Sequence, residues 1–382
     1  MKNSAALLFT LFFLISGNLY SQNSIADSAI TRGIHQIYTL DFPNAESTFR
    51  KLISDYPENP AGRFFLATID WWKILVDIDN EAYDDLFFQK LEDVNFQCDK
   101  ILDKNPDDVN ALFFKGGAIG FRGRLRAIRE SWLKAADDGR EALPIVQHAS
   151  KIDPNNKDVL LGFGLYNYYA AVIPDQFPLV KPLMIFFPSG DKAKGIEQLN
   201  DVAMSGKYSK YEARYFLMTL YSANEGNPYK ADEYASMLIK EFPNNPVFTR
   251  WKAKIAVQRG ATMEYFSMFK DIYGKCLKKE YGYNEKTKRE SEYYLGLYYK
   301  TYSRADSALA WFQQSVELSK VVDKNETTGF LVNSVLYAGM MCDALGKRDD
   351  AVNYYKQTLD LKSYGTSHEN AKMYLQTPYK LN

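Results

Sequence analysis

The amino-acid sequence predicts an all-α protein, an irregular solenoid of antiparallel helical hairpins. Three observations lead there. Gly and Pro are scarce, at 22 and 14 of 382 residues, about 9% against the ~12% of average usage. A spaced set of Gly, Ala and aromatic residues recurs along the chain, its alanines at 45, 231, 308 and 351 unevenly spaced, and such self-similarity is the mark of a repeat architecture. Between its copies Pro, Asp and Asn punctuate the chain, as in Asn105-Pro106-Asp107-Asp108 and Asp153-Pro154-Asn155-Asn156, where a helix cannot continue. With 46% hydrophobic residues there is ample material for a core.

The chain opens with Met1 and Lys2, an apolar run over residues 5–15, and the small polar stretch Ser16 to Gln22. This order of charge, apolar core and small residues predicts a secretory signal peptide, residues 1–21, cut after Ser21. The run is shorter than the roughly 20 residues that cross a bilayer, so no membrane span is expected. The first cysteine is Cys98, so no residue near the cut can carry a lipid, and a lipoprotein is not expected. The mature chain is expected in the periplasm or outside the cell.

The repeat reads as follows. The first copy carries Gly33, Ala45, Phe49, Leu52 and Pro57, with Asp41-Phe42 in its turn. A central copy has Gly226-Asn227, Ala231, Ala235, Leu238 and Pro243, with Thr219 in place of the first Gly. A late copy has Leu295-Gly296, Tyr299, Ala308 and Phe312, and the last has Gly339, Gly346, Ala351, Tyr355 and Leu359. In a helical hairpin the Gly and Ala let two helices approach, the aromatic fills space against the next hairpin, and the Pro ends the second helix. These positions resemble the tetratricopeptide repeat (TPR) family. The resemblance implies a right-handed all-helical solenoid that most often binds other proteins. Further hairpins are expected near 61–107, 108–154 and 246–278, giving six to eight helix pairs. A helix over His368 to Gln376 is expected to cover the end of the stack.

From Gly162 to Leu199 the chain is broken by Pro174, Pro178, Pro182 and Pro188 and does not read as a repeat. Ile173-Pro174 and Gly190-Asp191-Lys192 locally resemble the inclusion-body-clearance family of repeat proteins, in which an apolar helix ends at Pro and a Gly-Asp-basic motif opens the next. The expected layout is therefore hairpins over 22–160, a Pro-interrupted apolar insertion and helix over 161–210, hairpins over 211–364, and a capping helix and tail over 365–382.

Charge and motif content narrow the function. With 47 basic and 47 acidic side chains there is no basic excess for nucleic acid. The three cysteines, Cys98, Cys276 and Cys342, read as buried thiols rather than a disulfide framework. His35, His148 and His368 have no second ligand at helical spacing. No nucleophile elbow, zinc-protease motif or phosphate loop is complete, because Gly190 and Gly195 precede Ile196-Glu197 and the Gly116–Gly123 run follows no strand. No metal, cofactor or catalytic residue is expected.

Partner-binding candidates remain. Arg122, Arg126 and Arg129 stand at i, i+4 and i+7, on one helical face. They suit a carboxylate-bearing partner, or pair internally with Asp137, Asp138 or Glu141. Tyr166 and Tyr169 could line a pocket, and Phe177 and Phe186 flank an apolar run with one charge, Lys181. The inner face of the repeat carries Ile30, Ile34, Ile37, Phe216, Leu220, Tyr293, Leu297, Leu336 and Met340, so it is expected either to be buried by the chain itself or to take an apolar segment. Lys275 to Glu290 reads as a solvated basic linker. The expected function is a non-enzymatic scaffold or adaptor for a protein of the cell envelope. The alternatives are a carrier of a small apolar or glycan ligand and, less favoured, a helical hydrolase using two carboxylates.

Overall fold

The computed structural model describes residues 25–176, 188–324 and 327–381, and among these every regular element is helical. The leader and the 177–187 run, with Phe177 and Phe186, lie outside the described residues. Helix α1 covers 25–38, followed by α2 Phe42–Asp55, α3 Ala61–Val76, α4 Asp84–Leu102, α5 Val109–Ile128 and α6 Trp132–Ile152. Then come α7 Leu160–Gln176, α8 Lys192–Ser205, α9 Lys210–Ala223, α10 Pro228–Glu241, α11 Pro246–Gln258 and α12 Thr262–Leu277. The last are α13 Glu285–Thr301, α14 Ala305–Val322, α15 Gly329–Ala344, α16 Arg348–Asp360 and α17 Ser367–Gln376. Sequential helices pair into hairpins, and α17 packs on the last of them. No helix of the described residues is long and apolar enough to cross a membrane.

The hairpins close as the repeated residues require. A Cβ added to Gly33 would stand 2.3 Å from the Phe49 ring, one on Gly296 2.7 Å from Phe312, and one on Gly339 2.7 Å from Tyr355. In each case the aromatic lies sixteen positions after the Gly, so it covers the glycine of its own hairpin. This amends the sequence reading, which gave the aromatic to the next hairpin alone. The same rings do reach onward, Phe49 stacking on Phe65 at 5.3 Å and Phe312 meeting Tyr337 at 5.3 Å. Ala45, Ala308 and Ala351 are fully buried beside them. Helix starts are capped by Asp108, Asp191, Asn284 and Thr328, whose side chains accept N–H bonds from the first turn. Gly346 turns the last hairpin at φ 73°, a conformation Gly adopts without strain.

The chain forms two compact units, residues 1–226 with 233–245, and residues 227–232 with 246–382. The segment read as a Pro-interrupted apolar insertion and helix supplies α7 and α8, which pack on each other. Their crossing is glycine-lined: a Cβ on Gly195 would come within 2.6 Å of the Tyr168 backbone nitrogen, and one on Gly164 within 2.8 Å of Leu199. Helix α7 runs through Pro174 to Gln176 rather than ending there, since a Pro in the last turn leaves little helix beyond it to disturb. Asp191 opens α8 as the sequence suggested, accepting from the Lys194 N–H at 3.0 Å.

The first unit closes on itself. Tyr38 at the end of α1 packs on Tyr211 of α9 and on Phe242. Asn245 Nδ2 donates to the Tyr38 carbonyl at 2.9 Å, and Lys207 reaches Asp27 at 2.5 Å. Asp158 secures the turn before α9, accepting from the backbone N–H groups of Tyr208 and Ser209 at 2.9 Å each. The first and fifth hairpins are thereby joined, and Ile30, Ile34, Ile37, Phe216 and Leu220 are buried. In the second unit Tyr293, Leu336 and Met340 are buried too. The inner face is covered by the chain itself.

The second unit also overturns the expected basic linker. The segment is ordered into α13, whose Arg289, Glu290 and Glu292 are all buried. Glu290 lies between Arg250 and Lys254 of α11, at 3.1 and 2.9 Å. Glu292 is less well served: its nearest cation, Lys288, stands 3.7 Å from Oε1, and Oε2 has no hydrogen-bond partner. Burial pushes its carboxyl up to about 7. The folded state therefore keeps a proton that the unfolded chain loses near pH 4.3, so stability falls as pH rises from there through 7. Glu292→Gln is expected to stabilise the protein by about 1–3 kcal/mol at pH 8 and by little at pH 4.5. Thermal denaturation at the two pH values checks this; an equal effect at both would remove the carboxylate as cause.

Candidate functional site

The inner helices of the first unit converge on Arg124 of α5. Its guanidinium carbon lies 4.5 Å from the Trp71 ring and 4.2 Å from the Phe216 ring, with Tyr215 at 5.7 Å. One guanidinium nitrogen donates to Glu212 of α9. The other Glu212 oxygen accepts from the Tyr38 hydroxyl at 3.2 Å. A planar cation between two aromatic faces, with one carboxylate bridging it to a phenol, ties α1, α3, α5 and α9 together. Tyr38 and Glu212 are buried, and burial raises the Tyr38 hydroxyl well above its ordinary range. The phenol stays protonated and donates; this is a packed fastening.

Arg122 and Arg126 lie elsewhere on α5, Arg129 caps its C-terminal end, and all three are occupied. Arg122 meets Glu92 at 2.6 Å, Asp138 at 2.8 Å and Glu141 at 2.6 Å. Arg126 meets Asp138 at 2.6 Å, and Arg129 meets Asp84 at 2.6 Å while donating to the Ile78 carbonyl. Asp138 and Glu141 are acids the sequence nominated; Asp137 pairs instead with Arg140. Burial raises the Asp138 carboxyl even against two arginines, and its Oδ2 is unpartnered. These arginines brace α4, α5 and α6.

Tyr166 donates to the Pro188 carbonyl at 2.5 Å, and Tyr169 packs 6.5 Å from Phe216. The neighbouring Tyr168, which the sequence reading passed over, is fully buried and donates to Glu225 at 2.7 Å. The three cysteines are buried and unbridged, and burial pushes the Cys98 and Cys276 thiols up to about 12, which keeps them from acting as thiolates. His35 packs against Phe242 with the rings tilted at 5.3 Å, His148 bonds Asp107 at 2.7 Å, and His368 bonds the Leu361 carbonyl at 2.9 Å. Among the described residues no group of three or more His, Cys, Asp or Glu side chains could hold a metal.

The second unit carries an exposed aromatic surface. Met263 of α12 is 61% exposed and Tyr302, after α13, 50%. Tyr298 joins them, its hydroxyl 3.6 Å from the Met263 sulfur and its ring 4.8 Å from that of Tyr302. Phe266 stacks on Tyr298 at 3.8 Å, and both of these rings are half-buried against the core of the unit. Four adjoining side chains of this kind make an adaptable apolar patch, suited to protein contact rather than to bond chemistry.

Comparison with known proteins finds no matching family model and no matching curated protein. Solved structures of helical-repeat proteins do match. One is the C-terminal part of a TPR repeat-containing protein from Cytophaga hutchinsonii, 16% identical, covering 80% of this chain and 98% of that one with a TM-score of 0.36. Another is a tetratricopeptide repeat protein from Parabacteroides merdae, 14% identical, covering 92% and 97% with a TM-score of 0.26. Yeast Tom70 is 11% identical, covering 96% and 95% with a TM-score of 0.35. The TPR-like character of this chain rests on its own hairpins and their Gly-aromatic contacts, and these likenesses say nothing of its partners.

Proposed function

We propose that this TPR-like chain is an exported, non-enzymatic scaffold or adaptor that holds another protein in the cell envelope. The patch of Met263, Phe266, Tyr298 and Tyr302 carries the reading. Aromatic and Met side chains are the residues enriched at protein interfaces, and here they adjoin one another on stacked hairpins. Export rests on the charged start, short apolar run and small-residue exit of residues 1–21.

The test is affinity capture of the 22–382 protein from cross-linked envelope extract, set beside a Met263→Ser, Tyr302→Ser variant. Loss of two central contacts is expected to lower recovery of a specific protein by about tenfold or more, with helical circular dichroism unchanged. Equal recovery by both proteins would take the patch out of the account.

A further inference from the structure

A groove of about 330 Å³ opens on the first unit where α2, α3 and α4 meet. It lies away from the inner face. Leu91, Val94 and Cys98 of α4 turn to the core at i, i+3 and i+7, which puts Phe96 on the opposite side of that helix. Phe96 is 63% exposed there, and with Ile53 of α2 and Leu66 of α3 it makes the apolar part of the groove. The rest is cationic. Arg63 of α3 donates to the Pro57 carbonyl at 2.9 Å, and Lys100 of α4 lays its ammonium 4.1 Å from the Phe96 ring. Among the described residues neither makes an ion pair. A third cation, Lys90, is held by the buried Asp70, which Lys73 also reaches at 3.1 Å. Among the described residues of the lining the one acid is Asp93. A guanidinium whose partner is a single carbonyl keeps N–H groups that suit a carboxylate.

We propose that this outer groove docks a partner protein through an acidic residue beside an aliphatic one. The aliphatic side chain lies against Ile53, Leu66 and the Phe96 ring. The carboxylate takes the Arg63 guanidinium, with the Lys100 ammonium next to it. Charge complementarity names the occupant: cations without acids, set around an apolar floor, select against a basic partner and against a wholly apolar one. The groove is open to solvent, whereas sites for free small molecules bury most of the ligand. A pair of side chains carried on a protein needs only its tips covered. Docking on this side also leaves the inner face, which the chain covers itself, undisturbed. That the occupant is a protein rests on the scaffold reading; the preference for an acid beside an aliphatic side chain does not.

The probe is a fluorescein-labelled Gly-Glu-Leu-Glu-Leu-Glu-Gly peptide, titrated by anisotropy into the full chain at low ionic strength. Saturable binding is expected, weakened about tenfold or more by Lys100→Glu and by Phe96→Ser. Peptides with Gln for Glu, or with Ser for Leu, are expected to lose as much. Phe96 and Lys100 are exposed, so both variants are expected to keep their helical circular dichroism. Lys270→Glu changes an exposed lysine of α12 in the second unit and is expected to bind as the wild type does. Absence of saturable binding to the wild type, equal binding of the Gln or Ser peptide, or an equal loss in Lys270→Glu would overturn the groove. Phosphatidylglycerol vesicles that bind the wild type but not Lys100→Glu, with the peptide unbound, would give these cations to a lipid surface and overturn the partner claim. Peptide binding with no partner recovered from extract supports the groove and removes the scaffold. A partner captured equally by the wild type and by a Phe96→Ser, Lys100→Glu variant keeps the scaffold and overturns the groove.

Discussion

Arg124→Ala is expected to destabilise the protein by about 3–5 kcal/mol, the cost of leaving one member of a buried ion pair uncompensated. The stranded group is Glu212, 8% exposed at its side chain. Its remaining partner is a Tyr38 hydroxyl at 3.2 Å, which cannot neutralise a carboxylate at neutral pH. The change also removes the guanidinium from between Trp71 and Phe216, opening a void in the closed face of the first unit. Arg124→Leu with Glu212→Leu is expected to recover most of the loss, because apolar side chains of similar volume substitute well for a buried pair. Urea denaturation of both variants measures this. A loss below about 1 kcal/mol in Arg124→Ala would show that the pair is solvated and that the first unit does not depend on it.

Arg289→Ala is expected to cost about as much in the second unit, about 3–5 kcal/mol. Arg289 Nη1 lies 2.7 and 2.8 Å from the two Asp323 oxygens, and both side chains are nearly fully buried, at 7% and 4% exposure. Its guanidinium also sits 4.4 Å from the Phe330 ring. After the change Asp323 keeps only neutral donors such as the Thr328 hydroxyl at 2.5 Å. Asp323→Asn in the same background is expected to restore part of the stability by removing the unpaired charge. If the double variant is no more stable than Arg289→Ala, packing against Phe330 rather than charge carries the effect.

The hairpins were legible because their signal is local. A Gly and an aromatic sixteen residues later, with a small residue between, report one helix lying on the next, and Gly33 with Phe49 shows that contact directly. The start of α8 was legible for the same reason, since Gly190-Asp191-Lys192 reads as a helix opening and Asp191 caps it. What stayed hidden is tertiary. Arg122, Arg126 and Arg129 share a face, so a search for convergent charge finds them and steps over Arg124, which points another way. A useful signal was present: Arg124 follows Phe114 and Phe121 along an apolar row of α5, and a lone charge in such a row is expected to be buried against an acid. That acid is 88 residues away, beyond any spacing rule. Likewise Arg289 and Glu290 read as solvent-facing because charge usually is, while their partners lie on other helices.

The most direct test of the scaffold account is native mass spectrometry of the endogenous protein released gently from the cell envelope. The expected result is a complex in which this chain is held with at least one other polypeptide in fixed ratio. A chain that emerges alone, with a stoichiometric lipid or glycan mass and no second polypeptide, would contradict the account and make the protein a ligand carrier.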